Sequence, residues 1–264
     1  MAITLRSVGA SPGANSANCI ITKPAGLAVG DFMLAHVVNK ATSGTITSPA
    51  NWTIIGAQSN TASSRSALFY KFADAADVAA STFTFTLGTV GRNRGEMAAW
   101  LSVDTSTPVH AADQQINAAG TSIAVPSITV SDARKLLIIG SNASGGTATA
   151  CSGVNQVCTI TDGYAVAYST YCALACFSGI KATSGAIDAH ALSPFTSAVS
   201  SGHAVALNPA ASNPKGGAAD KDAYLRSLAD KDETGNPKNL RLRSEADKVA
   251  APPTAYVQQV IMVM

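Results

Sequence analysis

An all-β fold, a β-sandwich whose sheets close on an apolar core, is predicted by three features of this 264-residue chain. Strict alternation in STFTFTL sets Phe83, Phe85 and Leu87 against Thr82, Thr84 and Thr86, the period of two of a strand with one buried face. DFMLAHVV (residues 31–38) and RKLLIIG (134–140) are apolar at almost every position, as central strands covered on both sides are. Turn signals recur at short intervals, at Ser11-Pro12-Gly13, Gly30-Asp31, Ser48-Pro49, Gly91, Asp162-Gly163 and Ser184-Gly185. Many short strands between such turns favour a sandwich or a barrel.

Taken in order, the first strand-bearing stretches are VGDFMLAHVVNKATSG (29–44), PANWTIIG (49–56) and SALFYKFADAAD (66–77). In the last of these Leu68, Tyr70 and Phe72 alternate with Ala67, Phe69 and Lys71. STFTFTL (81–87) follows, then VGRNRGE (90–96) as a glycine-flanked hairpin loop, then RGEMAAWLSVDTSTPV (94–109). A fainter echo runs through DARKLLIIGSNASGG (132–146), CALACFSGIKATSGA (172–186) and SSGHAVALNPA (200–210). Two pseudo-repeated halves closing on one core account for the echo, and two consecutive small sandwiches are the alternative.

Charged residues make up 13% of the chain, about half the usual share, so the solvent faces carry hydroxyls rather than ions. A formal charge of +2 is too small to draw a nucleic-acid partner electrostatically. No apolar run approaches the roughly 18 residues that span a bilayer, so no membrane partner is expected. The opening MAITLRSVGASPG lacks the pattern of a secretory signal, and a start in the cytosol is the expectation. Residues 1–208 hold only ten of the 18 basic and nine of the 16 acidic residues, whereas 215–248 hold eight and seven. That shift, following the turn cluster NPAASNPKGG, divides the chain into a β-sandwich domain, 1–208, and a charged linker with an extended C-terminal arm, 209–264.

Within the arm, DKDAYLRSLADKD (220–232) spaces Tyr224, Leu225 and Leu228 as a short amphipathic helix. NLRLRSEADK (239–248) alternates Leu240 and Leu242 with Arg241 and Arg243, the pattern of an edge strand whose charges discourage open-ended pairing. YVQQVIMVM (256–264) is an apolar strand that needs a sheet to join, either its own or a neighbour's. Candidate assembly contacts are therefore Tyr256, Val257, Val260, Ile261 and Val263, with Arg241 and Arg243.

No catalytic, cofactor or metal pattern survives scrutiny of its surroundings. A literal G-x-S-x-G at residues 9–13 would need a helix after Ser11, yet Pro12, Gly13 and the strand-like NCIITKP follow, which makes it a turn. His36, His190 and His203 fall in strands and His110 in a loop, none in a metal or nucleophile motif, so structural roles are expected. Asp230, Asp232, Thr234 and Gly235 imitate the start of a calcium loop, but its last ligand position is Arg241. Arg92 and Arg94 in the predicted loop read as solvated, or as an intersubunit contact with a carboxylate. Cys172 and Cys176 on one extended strand stand about 13 Å apart, too far for a disulfide. With Cys19, Cys151 and Cys158 they read as small core thiols. Trp52 and Trp100 sit in apolar strand patterns, where core packing is favoured over a sugar-stacking platform.

The order of Gly30-Asp31 with its apolar run, then Pro49 to Thr53, then LFYKFA (68–73), the alternating TFTF (82–85) and AAWLSVDTSTP (98–108) resembles phage-encoded minor structural proteins. HAVALNP (203–209) is similar to the same family's closing strand. The likeness covers roughly residues 3–209. It implies a jelly-roll-like β-sandwich in the virion, made in the host cytoplasm, used alike in tail fibres, tail tips and capsid decoration. It also implies partners that are copies of itself and other capsid or tail proteins, with no cofactor. The alternative it admits is a receptor- or glycan-binding module that meets a host-surface glycan.

Overall fold

The computed structural model of the protein describes residues 2–144, 150–153, 159–166, 172–187, 189–193 and 195–211. The chain divides into two units, Met1–Ala211 and Ser212–Met264, and the second lies outside the described residues. The first is predominantly β, with antiparallel sheets throughout.

The first part comprises β1 (Thr4–Ala10), β2 (Ala14–Thr22), β3 (Phe32–Lys40), β4 (Ile46–Thr47), β5 (Thr53–Asn60), β6 (Arg65–Phe72), a short helix α1 (Ala75–Ala79) and β7 (Thr82–Leu101). Its sheet runs β1-β7-β3-β6-β5, while β2 and β4 pair with β7 off that path. Asp74 and Asp77 form a reciprocal capping box on α1, and Lys71 bridges both carboxylates at 2.9 and 2.7 Å.

β7 corrects the sequence reading. Residues 90–96 are the middle of one 20-residue strand, not a hairpin loop. Its early residues, Thr82 to Leu87, pair with β2 and β4, and its later ones with β3 and β1. The glycines there serve close approach: a Cβ on Gly95 would stand 2.6 Å from Ile21 Cδ1 and 2.8 Å from Cys19 Sγ. Without side chains at such points, β2 can lie across the sheet that β7 itself helps to build.

The second part comprises β8 (Val109–Gly120), β9 (Ile123–Val125), β10 (Ile128–Val130), β11 (Arg134–Asn142), β12 (Ala150–Gly153), β13 (Thr159–Val166), β14 (Ala173–Lys181), β15 (Gly185–Ile187), β16 (His190–Ser193) and β17 (Ala198–Leu207). Its main sheet runs β13-β14-β11-β17-β8, beside a three-stranded sheet β12-β16-β9 and the pair β10-β15. Asp162-Gly163, read as a turn, lies inside β13, where the register slips between Ile160 and Asp162. A bulge there supplies the irregularity that the dipeptide signals.

Alternation sorts the side chains into three main apolar layers. Met33, Ala35 and Val37 of β3 face Ile21, Ile46, Phe83 and Phe85 in the first. Leu136 and Ile138 of β11 face Ile123, Val125, Ile187 and Leu192 in the second. The opposite faces of the same strands meet in the third, where Phe32, Leu34, Leu68, Ala98 and Trp100 pack against Leu137, Ile139, Val205 and Leu207. Each main sheet is thus covered on both sides, which is why β3 and β11 are apolar almost throughout. Every large aliphatic side chain in this seam contributes about 1.5–3 kcal/mol relative to exposure.

Truncating the seam should therefore cost more than truncating the surface. Leu137→Ala is expected to lower unfolding free energy in urea by about 2–5 kcal/mol. Val90→Ala, at a side chain 60% exposed, should change it by less than about 0.5 kcal/mol.

Candidate functional site

The site residues predicted from sequence separate into packed groups and groups beyond the described region. Trp100 is 1% exposed, with Lys135 Nζ 5.4 Å from its ring centroid. Trp52 is half-buried and meets Phe83 and Phe85 edge-on at 5.9 and 5.6 Å. Both tryptophans are thus committed to packing. Ser11 lies in the turn between β1 and β2, where its Oγ accepts from the Gly13 amide at 3.0 Å. His110 is in β8 rather than in a loop, and its Nε2 accepts from the Ser131 amide at 3.2 Å. Arg94 is buried in mid-β7 instead of solvated, the counterpart of the missing hairpin.

Among the cysteines, Cys19, Cys172 and Cys176 are buried thiols and Cys151 is half-buried, while Cys158 lies outside the described residues. Burial pushes the Cys19 and Cys172 thiols up to about 12, which keeps both protonated and unreactive. The calcium-loop imitation from Asp230 to Arg241 and the assembly contacts Arg241, Arg243, Tyr256, Val257, Val260, Ile261 and Val263 also lie outside.

What sequence reasoning missed is a polar line inside the apolar seam. His36 sits in mid-β3, directly opposite Glu96 of β7 on one side and Leu68 of β6 on the other. Its Nε2 is 3.0 Å from Ser66 Oγ. Ser141 Oγ of β11 donates to Ser66 Oγ at 3.1 Å and lies 3.0 Å from Ser201 Oγ of β17. Ser66 Oγ thus accepts from Ser141 and is bonded to His36 Nε2, the tautomer of the imidazole deciding which of the two donates. His203 of β17 completes the line, its ring edge-on to that of His36 at 5.9 Å. A chain of hydroxyls and imidazoles therefore crosses from one sheet to the other, with every member at most 2% exposed.

Burial decides the charge of this line. It holds His36 well below its ordinary value, assisted by the neighbouring His203, and pushes His203 down to about 4. Glu96 is pushed up to about 8 by burial, although Arg94 two residues away pulls in the other direction. Its carboxyl oxygens have no hydrogen-bond partner among the described residues. Burial therefore favours the uncharged form of both imidazoles and the protonated form of Glu96. A histidine beside a serine is the start of nucleophile chemistry, but Ser66 and His36 are sealed from solvent. Their arrangement ties two sheets together through directed bonds.

Among the described residues no group of three or more His, Cys, Asp or Glu is placed to hold a metal ion, and no helix is long and apolar enough to cross a membrane. No protein-family model, curated protein or solved structure matches the chain.

The buried titratable groups make stability pH-dependent in both directions. Each histidine is neutral when folded and protonates near 6.5 when unfolded, so its contribution is complete above that pH and is lost as pH falls below it, for His203 through about 4. Glu96 acts oppositely: its contribution is complete at low pH and is lost as pH rises from 4.5 to about 8. With two histidines against one glutamate, unfolding free energy should peak near pH 6.5 and fall on either side by about 1.4 kcal/mol per pH unit. Urea titrations of Glu96→Gln should show the alkaline decline flattened and the acid decline steepened.

Proposed function

We propose that the chain is a non-enzymatic structural protein of a phage particle, a capsid decoration or a tail or fibre component, that assembles through its C-terminal arm. The observation that carries this reading is the sealed seam. Two multi-stranded sheets meet through an apolar layer and a buried hydroxyl line, and the groups best suited to acid–base chemistry are spent inside it. Such a block serves as a spacer or display module. Its partners are copies of itself and other virion proteins, in keeping with the resemblance carried by residues 30–108 and 203–209.

We further read the fold as a jelly-roll-like sandwich built from two pseudo-repeated halves. Support comes from the strand orders: β1-β7-β3-β6-β5 in the first part matches β8-β17-β11-β14-β13 in the second, in the same succession along the chain once the extra pair β10-β15 is set aside. β2, early β7 and β4 correspond in the same way to β9, β16 and β12. The glycan-binding alternative loses its two candidate tryptophans to packing, so particle building stands ahead of it.

Removing residues 255–264 tests the assembly role. The shortened chain should keep its melting temperature and circular dichroism yet fail to oligomerise in light scattering and fail to enter particles. Val260→Asp with Ile261→Asp should do the same. Unchanged assembly by both variants would contradict the reading.

A further inference from the structure

β5 ends one main sheet and β8 the other, so each has a main-chain edge that pairs with no strand among the described residues. β8 is the more regular of the two. Its register with β17 runs unbroken from Ala111 to Asn117, whereas that of β5 with β6 slips between Ile55 and Ser59. Exposed edges are commonly blunted by charges or bulges, yet the only charge on this run of β8 is Asp113, which shares a face with Ala111. The other face carries Ala112, Gln114 and Ile116, and Ile116 is 55% exposed.

Beside that face a cleft with a cavity of about 110 Å³ opens between β8 and β5, walled by Ile55, Leu68 and Val205. His203 stands directly opposite Gln114 in the β17–β8 register, and both line the cleft. His203 Nε2 and Gln114 Oε1 are buried without a hydrogen-bond partner among the described residues. Buried polar groups in that state cost free energy, so an occupant that bonds to them is favoured. Gln114 Oε1 accepts, and the imidazole nitrogen donates or accepts according to its tautomer. A carboxamide, which brings a donor and an acceptor together, can satisfy both.

Such an occupant is written in the chain itself. Residues 249–264 hold no charged side chain, and YVQQVIMVM within them reads as an apolar strand that needs a sheet to join. Extended, it would set Val257, Gln259 and Ile261 on one face, the same apolar–glutamine–apolar order as Ala112, Gln114 and Ile116. The cavity lies somewhat below the roughly 150 Å³ that takes up benzene, so a side chain of about five heavy atoms, as in glutamine, is the right size. Residues 212–255 stand between this segment and the first unit. Extended, they would span up to about 145 Å, enough to reach a second copy.

We propose that residues 256–264 of a second copy add as a strand to the free edge of β8, the Gln259 carboxamide entering the cleft to meet Gln114 Oε1 and His203 Nε2, and Val257 and Ile261 lying beside Ile116 and Ala112. This rests on the reading that the arm carries assembly, and it names the surface that receives the arm. Main-chain hydrogen bonds supply the affinity of such an addition, and the alternate side chains supply its register.

The test is made on the full chain. Ala112→Arg with Ile116→Lys, at two exposed positions of β8, should keep the melting temperature and weaken self-association in light scattering at least about tenfold. Gln259→Glu, which brings an uncompensated charge to the cleft, should weaken it about tenfold. A benzophenone photo-crosslinker at Ala112 of an isotope-labelled chain, mixed with excess unlabelled chain, should form adducts with unlabelled peptides from 249–264. This crosslink decides the matter if the double variant fails to fold. Association kept by the β8 variant but lost on removing 255–264 would overturn this docking site and leave the arm reading standing. Association kept on removing 255–264 would overturn both. Adducts confined to labelled peptides or to other segments, no adducts at all, or a Gln259→Glu variant that associates like the parent would each overturn the proposal.

Discussion

Two-sided burial of β3 and β11 is the constraint on which the rest of the structure depends. Each strand turns one face to its own short strands and the other to the opposing sheet. A strand in that position cannot carry a solvent face, so its alternation vanishes and its residues become apolar in succession. The same demand reaches the neighbouring strands: Ala98 and Trp100 of β7, and Val205 and Leu207 of β17, lie on the seam side, while Met97, Ala99, Ala204 and Ala206 lie on the outer side. The low charge of these 211 residues follows directly, because so much of the strand surface is interior.

Polar groups inside such a layer must find one another. His36, Ser66, Ser141 and Ser201 do so with distances of 3.0 to 3.1 Å. Directed bonds of this kind add an orientational preference to the register that the interdigitated apolar side chains of the two sheets already favour. Glu96 is the costly member. Its burial opposite His36 is tolerated by staying protonated, which ties the integrity of the seam to pH. Where the seam reaches the edges of β5 and β8, a member of the line, His203, borders a cavity.

How legible each element was in sequence follows its physics. β3 and β11 could be read because two-sided burial writes an unbroken apolar run, and early β7 because one-sided burial writes an alternation of Phe and Thr. Late β7 could not be joined to it, since Gly91 and Gly95 look like turn punctuation until Asn39, Ile21 and Cys19 are seen pressed against them. β8 escaped notice because its Ala, Asp, Gln and Asn residues lie at a sheet edge, half-exposed on both faces and without a period. The polar line left only single letters inside apolar runs, His36 in DFMLAHVV and Glu96 in RGEMAAW. Their partners lie far along the chain: 30, 75 and 60 residues separate the bonded pairs. No local pattern encodes which distant hydroxyl a buried imidazole will meet.

If the seam makes the two parts one cooperative block, neither main sheet opens without the other. Hydrogen exchange in increasing urea, followed by mass spectrometry on peptides covering β3 and β11, measures this directly. The account predicts that both strands exchange through the same opening, with equal free energies and equal urea dependence. Exchange of β11 through a smaller opening that leaves β3 protected would contradict it.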